Sequence, residues 1–469
     1  MQKTLIFSAA LFFLVISTQS QAQTIASDNE AVQNAYELAI KTIDLNTRNG
    51  ILAAGAQYGG EWTRDISINV WSGVSMIRPG VSSNSLWDVT EKRNLVGHQF
   101  WDKILWVKAA YTHFLATGDK EFLKEAYNCS ANTMTELENT VFDKQSNLFM
   151  GPSVFNDGIA GYEEPIYESG NPGDNVLNHK PSLKIKCLST NAAYCMAYQD
   201  INSMHRILYG NDHPDALKKA DKLKAAIRKN LYDEAEGRLN YFIDPNGKVH
   251  RFQEALGISY AILSGIVTPD EGLRITRNCV KSQFGITSVY PDFKRFSKEK
   301  PGRHNNLIWP MVGGTYGTAA MKAGNKADFD REFFGLISLA LDGDKGNWDF
   351  YEIFNPNTGR PDGGWQAGHD GWESCIHQTW SATAYLRMTY NCIAGINLEE
   401  EGIRFTPYLP EGIHYLKLSD LRYQQMNLTI ELKGQGNHIA EIRLNDRRLT
   451  DPFLSNQLTG KQKVVIILK

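Results

Sequence analysis

Cysteine is scarce and unclustered in this chain: six residues in 469, at positions 129, 187, 195, 279, 375 and 392, with no CxxC pair among them. That excludes a disulfide-dense scaffold and leaves the cysteines as small buried apolar groups, with room for a disulfide or two. An excess of one charge is lacking as well. The formal net charge of −3 offers nucleic acid no basic face and includes no acidic tail, so a neutral partner fits best. HExxH, a GxSxG elbow and a phosphate-cradling glycine loop are absent, which removes the usual zinc-hydrolase, serine-hydrolase and nucleotide readings. The apolar run Leu5–Ile16 is too short to cross a bilayer. With Lys3 ahead of it and Ser20 and Ala22 in the small positions before a cut, Met1–Ala22 is expected to be a secretory leader for a periplasmic or secreted protein. The mature charge becomes −4, because Lys3 is the only charged residue removed.

What is present is helical rhythm. Asp28–Thr47 carries apolar residues at 32, 35, 36, 38, 39 and 43, the spacing of a helix packed on one face, and a new helical pattern starts near Arg64 after Gly59 and Gly60. Helical stretches then come in pairs joined by tight polar links: Gly97–Ala116 with Lys120–Phe142, Ser189–Leu208 with His213–Leu231, Arg251–Leu263 with Asp270–Gln283, and Asn306–Ala323 with Lys326–Leu341. Trp372–Met388 closes the series. Between pairs run the long loops Gly151–Lys186, Pro291–Arg303 and Asp342–Gly371, and long loops in a compact domain are usually functional. Short links at one end and long loops at the other describe an (α/α)6 toroid of helical hairpins with one working face, spanning residues 23–394. After Ala394 the pattern turns to alternation and turn signals, as in YLKLSDLRYQQMNLTIELKG, which predicts a small C-terminal antiparallel β domain over 395–469.

The loop NWDFYEIFNPNTGRPDGGW places Glu352 among Trp348, Phe350, Tyr351, Phe354, Trp365 and, further on, Trp372. A carboxylate among rings suits sugar chemistry, since pyranose faces stack on aromatics while the acid handles a proton. A solvated loop acid is the plainer reading of Glu352, and a helix-start carboxylate that of its rival Glu373. Asp65 has its own plain reading as a helix cap or as a partner of Arg64. His304, His369 and His377 lack metal-ligand spacing, and Asp342, Asp344 and Asp349 lack the glutamate that closes a calcium loop, so neither metal nor cofactor is expected.

Taken together, GGEWTRD (Gly59–Asp65), LSTNAAYCMAY (Leu188–Tyr198), HNNLIWP (His304–Pro310), YEIFNPNTG (Tyr351–Gly359) and HQTWSATAYL (His377–Leu386) resemble the six-hairpin glycosidases. The similarity is strongest to the processing and bacterial α-glucosidase group of glycoside hydrolase family 63. The resemblance implies Glu352 as general base and, on LFMGPSVFNDGIAGY, Asp157 as general acid, with Glu163, Glu164, Glu168 and Asp174 as alternatives on the same loop. It implies that Trp62, Arg64 and Asp65 grip sugar hydroxyls. Tyr162 and His304 are further candidates for the sugar site, and Trp309 and Trp365 are candidates to stack on sugar faces, with packing in the helical core as the plain alternative for both. Large insertions and a separate N-terminal β domain found in many relatives are not recognisable, which leaves the sugar open.

The expected activity is exo-acting hydrolysis of an α-glycoside with inversion, for which two carboxyls about 6.5–9.5 Å apart would flank the bond. Three rivals stand beside it. A lyase or unsaturated-uronyl hydrolase would draw on Arg303, His304 and Arg360 for an acidic substrate; a glycan-binding protein would keep the aromatics and need no carboxylate; a phosphorylase would replace water by phosphate.

Overall fold

The computed structural model describes residues 23–345, 347–366 and 371–469; the expected leader Met1–Ala22 and His369 lie outside them. Among the described residues, six helices form an inner ring: Thr63–Asn69, Leu105–Thr117, Leu188–Tyr209, Ala255–Leu263, Pro310–Lys322 and Thr379–Met388. Each packs on the next, and the last returns to the first. Their sequences explain the position. Thr63–Asn69 and Thr379–Met388 are buried along their whole length, and the others are buried over most of it, as expected for helices without a polar face.

The outer helices Glu30–Leu45, Pro79–Asp88, Lys120–Thr140, Ala216–Leu231, Pro269–Asn278 and Lys326–Leu341 complete six hairpins. These are mostly amphipathic; Ala216–Leu231, for example, buries Ala220, Leu223, Ile227 and Leu231 and turns its lysines outward. The links from inner to outer helix are short. In one of them Gly118 ends Leu105–Thr117 at φ +71, where a side chain would be strained, and Asp119 caps the next helix by accepting from the Phe122 N–H. The return connections are long, so all six inner helices start at the same end of the ring. This confirms the (α/α)6 toroid.

The C-terminal region is a sheet in the order Thr24–Ser27, Tyr415–Tyr423, Met426–Lys433, Gly460–Leu468, Ile439–Leu444, Arg447–Arg448, with a smaller three-stranded sheet beside it. Leu416, Leu418, Leu428, Ile430, Leu432, Val464 and Ile466 alternate onto one face and merge with the ring's apolar cluster. Two details go beyond the sequence reading. Met426–Lys433 and Gly460–Leu468 pair in parallel within an otherwise antiparallel sheet, and the edge strand Thr24–Ser27 comes from ahead of the helical ring. The sheet meets the far end of the ring, where the Gln424 N–H donates to the Ala116 carbonyl at 2.7 Å.

Candidate active site

Because the inner helices share a direction, their N-termini crowd one end of the ring, and the long loops fold over it. A cavity of about 230 Å³ opens there. Helix starts contribute Trp62, Arg64 and Asp65, then Trp309, then Gln378 and Trp380. The loops contribute Tyr58, Asp157, Asp174, Arg303, His304, Glu352, Gln366 and Trp372. No residue of the C-terminal sheet lines it.

Each proposed catalytic carboxylate is held by its own guanidinium. Arg64 Nη2 donates to Asp157 Oδ2 at 3.0 Å, and its Nη1 reaches Asp102 at 3.3 Å. Arg303 Nη2 donates to Glu352 Oε2 at 2.6 Å, with its guanidinium 5.2 Å from the ring centres of both Trp309 and Trp372. The backbone of Glu352 is equally fixed: its N–H donates to the Cys375 carbonyl at 2.9 Å, and the next residue is bracketed by the Ser374 hydroxyl. Asp157 sits on a pinned turn. The Tyr162 hydroxyl accepts from the Ser153 N–H and donates to the Asn156 carbonyl, while Ser153 in turn donates to the buried Glu254 at 2.6 Å.

The charges divide the acids. Burial pushes Asp65 up to about 7, with Arg64 opposing and Glu352 and Asp157 adding to the rise. Burial likewise pushes Asp102 up to about 8, against the pull of Arg64. Burial acts upward on Asp157 too, but Arg64 and its neighbours outweigh it and hold this carboxyl below its usual range. His304 is kept neutral: burial, helped by Arg303 and Arg64, lowers it to about 3 in spite of Asp157.

Of the residues singled out in the sequence, Trp62, Arg64, Asp65, Asp157, His304, Trp309 and Glu352 meet in this one cavity. Two do not. Tyr162 is fully buried, with its ring against Tyr241 and its hydroxyl spent on the Asp157 turn, so it supports the loop from behind. Trp365 lies outside the cavity under the Lys300 ammonium, 4.6 Å from its ring centre, on a backbone tied at both its N–H and its carbonyl to the 301–303 segment. The aromatic company expected of Glu352 is corrected in the same way: Phe350 and Phe354 face the core, Trp348 is 61% exposed, and of the six rings named only Trp372 lines the cavity. Among the alternatives to Asp157, Glu163 is bound to His250, Glu164 is exposed outside the lining and Glu168 lies against His179, which leaves Asp174 as the other acid in the lining. Glu373 is exposed in a loop well before its expected helix, which starts at Thr379.

The sequence reading missed Tyr58, Asp102, Gln366, Gln378 and Trp380. The last two stand inside HQTWSATAYL, so the motif itself was their signal; nothing in the sequence marks Gln366. Buried polar atoms without a protein partner among the described residues include Trp62 Nε1, Arg303 Nη1, Gln378 Oε1 and Trp380 Nε1, all on cavity-lining side chains. Such atoms suit a ligand rich in hydroxyls. Among the described residues no group of three or more histidine, cysteine or acidic side chains could hold a metal ion; Asp342 pairs with Lys345 and Asp349 with His377. All six cysteines are free and buried.

Replacing Tyr162 by Phe should lower stability by about 1–3 kcal/mol, since the Ser153 N–H and Asn156 carbonyl lose their partner in a buried place. Chemical denaturation measures it; an unchanged midpoint would show the hydroxyl to be idle.

The family model of the mannosylglycerate hydrolase MGH1-like glycoside hydrolase domain matches residues 105–381. No curated protein sequence gives a match. Among solved structures, a sialidase superposes with a TM-score of 0.69 at 14% identity, over 91% of this chain and 40% of its own. A GH63 mannosylglycerate hydrolase from Thermus thermophilus, in complex with Tris, gives 0.58 at 14% identity over 76% of this chain and 100% of its own. A GH78 family rhamnosidase of a Bacillus species gives 0.58 at 13% identity over 96% of this chain and 44% of its own. The chain thus spans less than half the length of the sialidase and of the rhamnosidase, and at these identities the likeness is one of fold. The family match covers more than half of the sequence, and with the ring of six hairpins it places this chain in the mannosylglycerate hydrolase MGH1-like glycoside hydrolase family.

Proposed function

We propose that the chain is an exported, exo-acting glycosidase that cleaves an α-glycosidic bond with inversion, Asp157 serving as general acid and Glu352 as general base. The observation that carries this reading is that the two carboxylates, on loops far apart in sequence, open onto one cavity and are each held by a separate arginine. A sugar bound between them would present its leaving oxygen to one acid and a water to the other. The apolar leader supports export.

A neutral hexose fits the charge balance better than an acidic sugar. Arg64 and Arg303 each already face a carboxylate, with Arg303 Nη1 left over, His304 is held neutral, and Arg360 is exposed outside the cavity. That weighs against the lyase and uronyl-hydrolase readings. One solved relative is a mannosylglycerate hydrolase in complex with glucose, which makes glucosides and mannosides the first substrates to try. With an α-glycoside, proton NMR should show the β-anomer first; an initial α-anomer would contradict inversion. Running the same assay with and without phosphate separates hydrolysis from phosphorolysis.

One observation favours a second assignment of the acid. A general acid must carry its proton, so kcat/KM is lost as pH rises through its pKa. Asp157 is held low and Asp65 is pushed up to about 7. If Asp157 is the acid, the alkaline limb of kcat/KM lies well on the acid side of neutrality. A limb near pH 7 would hand the role to Asp65.

A further inference from the structure

Gln366 has no assigned part in this site, yet its contacts are directional. The Ala160 N–H donates to Gln366 Oε1 at 2.8 Å. A backbone N–H can only donate, so this contact settles which way the amide faces. Gln366 Nε2 then points at His304 Nδ1, 3.2 Å away, and an amide nitrogen can only donate in turn. His304 Nδ1 is therefore the acceptor, and the ring proton sits on Nε2. Nε2 lies 3.4 Å from Asp157 Oδ1, within reach of the N–H dipole but outside hydrogen-bond geometry, while Arg64 occupies the other oxygen. The ring is clamped in this orientation by Trp309, stacked at 5.0 Å, and by Phe155 at 5.4 Å.

Gly158 supplies an independent sign that this chain of contacts is built for closeness. A Cβ placed there would lie 1.9 Å from Gln366 Nε2 and 2.3 Å from His304 Nδ1. Any other residue beside Asp157 would push the pair apart.

We infer that Gln366 is a positioning residue for the reaction: through His304 it keeps an N–H, and never a lone pair, turned toward Asp157. This rests on the assignment of Asp157 as the acid. The charged groups facing His304 are Asp157, Arg303 and Arg64, and with two cations close by a neutral imidazole is the stable form. Tautomer choice, made by Gln366, then decides what Asp157 meets. With the donor lost, the carboxylate of Asp157 is less stabilised and takes up its proton at higher pH.

The test is nitrogen NMR of His304 in 15N-histidine-labelled enzyme, assigned by difference with His304→Gln, alongside kinetics of Gln366→Met. The wild type should show Nε2 protonated and Nδ1 bare. Gln366→Met should lose that preference, drop the pH-independent kcat about 10- to 100-fold with little change in KM because the ring and Asp157 lose their fixed geometry, and move the alkaline limb upward. A wild-type ring protonated on Nδ1 overturns the inference without any variant having to fold, and so does a Gln366→Met enzyme whose kcat and pH profile match the parent. Near-normal turnover by Asp157→Asn would instead unseat the acid assignment, and it is read separately from the nitrogen shifts.

Discussion

Glu352→Gln should lower kcat about 10³- to 10⁴-fold while leaving the fold intact, which corresponds to about 4–5.5 kcal/mol of transition-state stabilisation. The amide keeps the size of the side chain and can still accept from Arg303, whose pairing at 2.6 Å fixes its place. It cannot take a proton from water. The backbone ties of residues 352 and 353 to Cys375 and Ser374 do not involve the carboxylate, so the loop keeps its place, although buried Arg303 loses its counter-charge and some stability goes with it. Steady-state kinetics with circular dichroism on the same sample checks it. A near-normal rate would remove Glu352 from the base role and return the protein to the class of glycan binders, in which the carboxylate is dispensable.

Asp157→Asn should cost about 10²- to 10⁴-fold in kcat on substrates with poor leaving groups. Here the neighbourhood changes as well as the chemistry. Arg64 loses the charge it faces at 3.0 Å and keeps Asp102 at 3.3 Å, so the buried guanidinium is left half-compensated. Some loss of stability should accompany the loss of rate. Asp157→Glu, which restores the charge but displaces it, should recover the stability and not the turnover; thermal melts and initial rates on the two variants separate the effects.

How far the sequence could be read depends on which physical signal each part leaves. Outer helices such as Ala216–Leu231 have one wet face and were legible from spacing. Inner helices have none, so their ends were blurred: the stretch expected to be helical from Asn306 begins at Pro310, and the one from Gly97 begins at Leu105. The residues between, such as Leu307, Ile308 and Ile104, are apolar because they are buried in loops. Pro310 at the first helical position was the better marker. The helix Pro79–Asp88 went unseen because serine, asparagine and glycine fill it and its apolar stripe is faint. Thr24–Ser27 joins a strand almost four hundred residues away, and no local pattern announces such pairing. In the site, carboxylate and arginine types carried the reading well. Aromatics carried it poorly, because a ring next to Glu352 in sequence, such as Phe350 or Phe354, points into the core. Gln366 and Asp102 belong to none of the motifs, and only the fold brings them to His304 and Arg64.

The central claim is that two acids divide the work on one glycosidic bond, and leaving-group dependence tests it most directly. Hydrolysis rates of Asp157→Asn and Glu352→Gln should be compared on glycosides of a strongly acidic phenol and of a simple alcohol. Asp157→Asn should recover much of its rate with the phenol, which departs without help from an acid, whereas Glu352→Gln should stay slow on both. Equal impairment of Asp157→Asn on the two substrates would contradict the account.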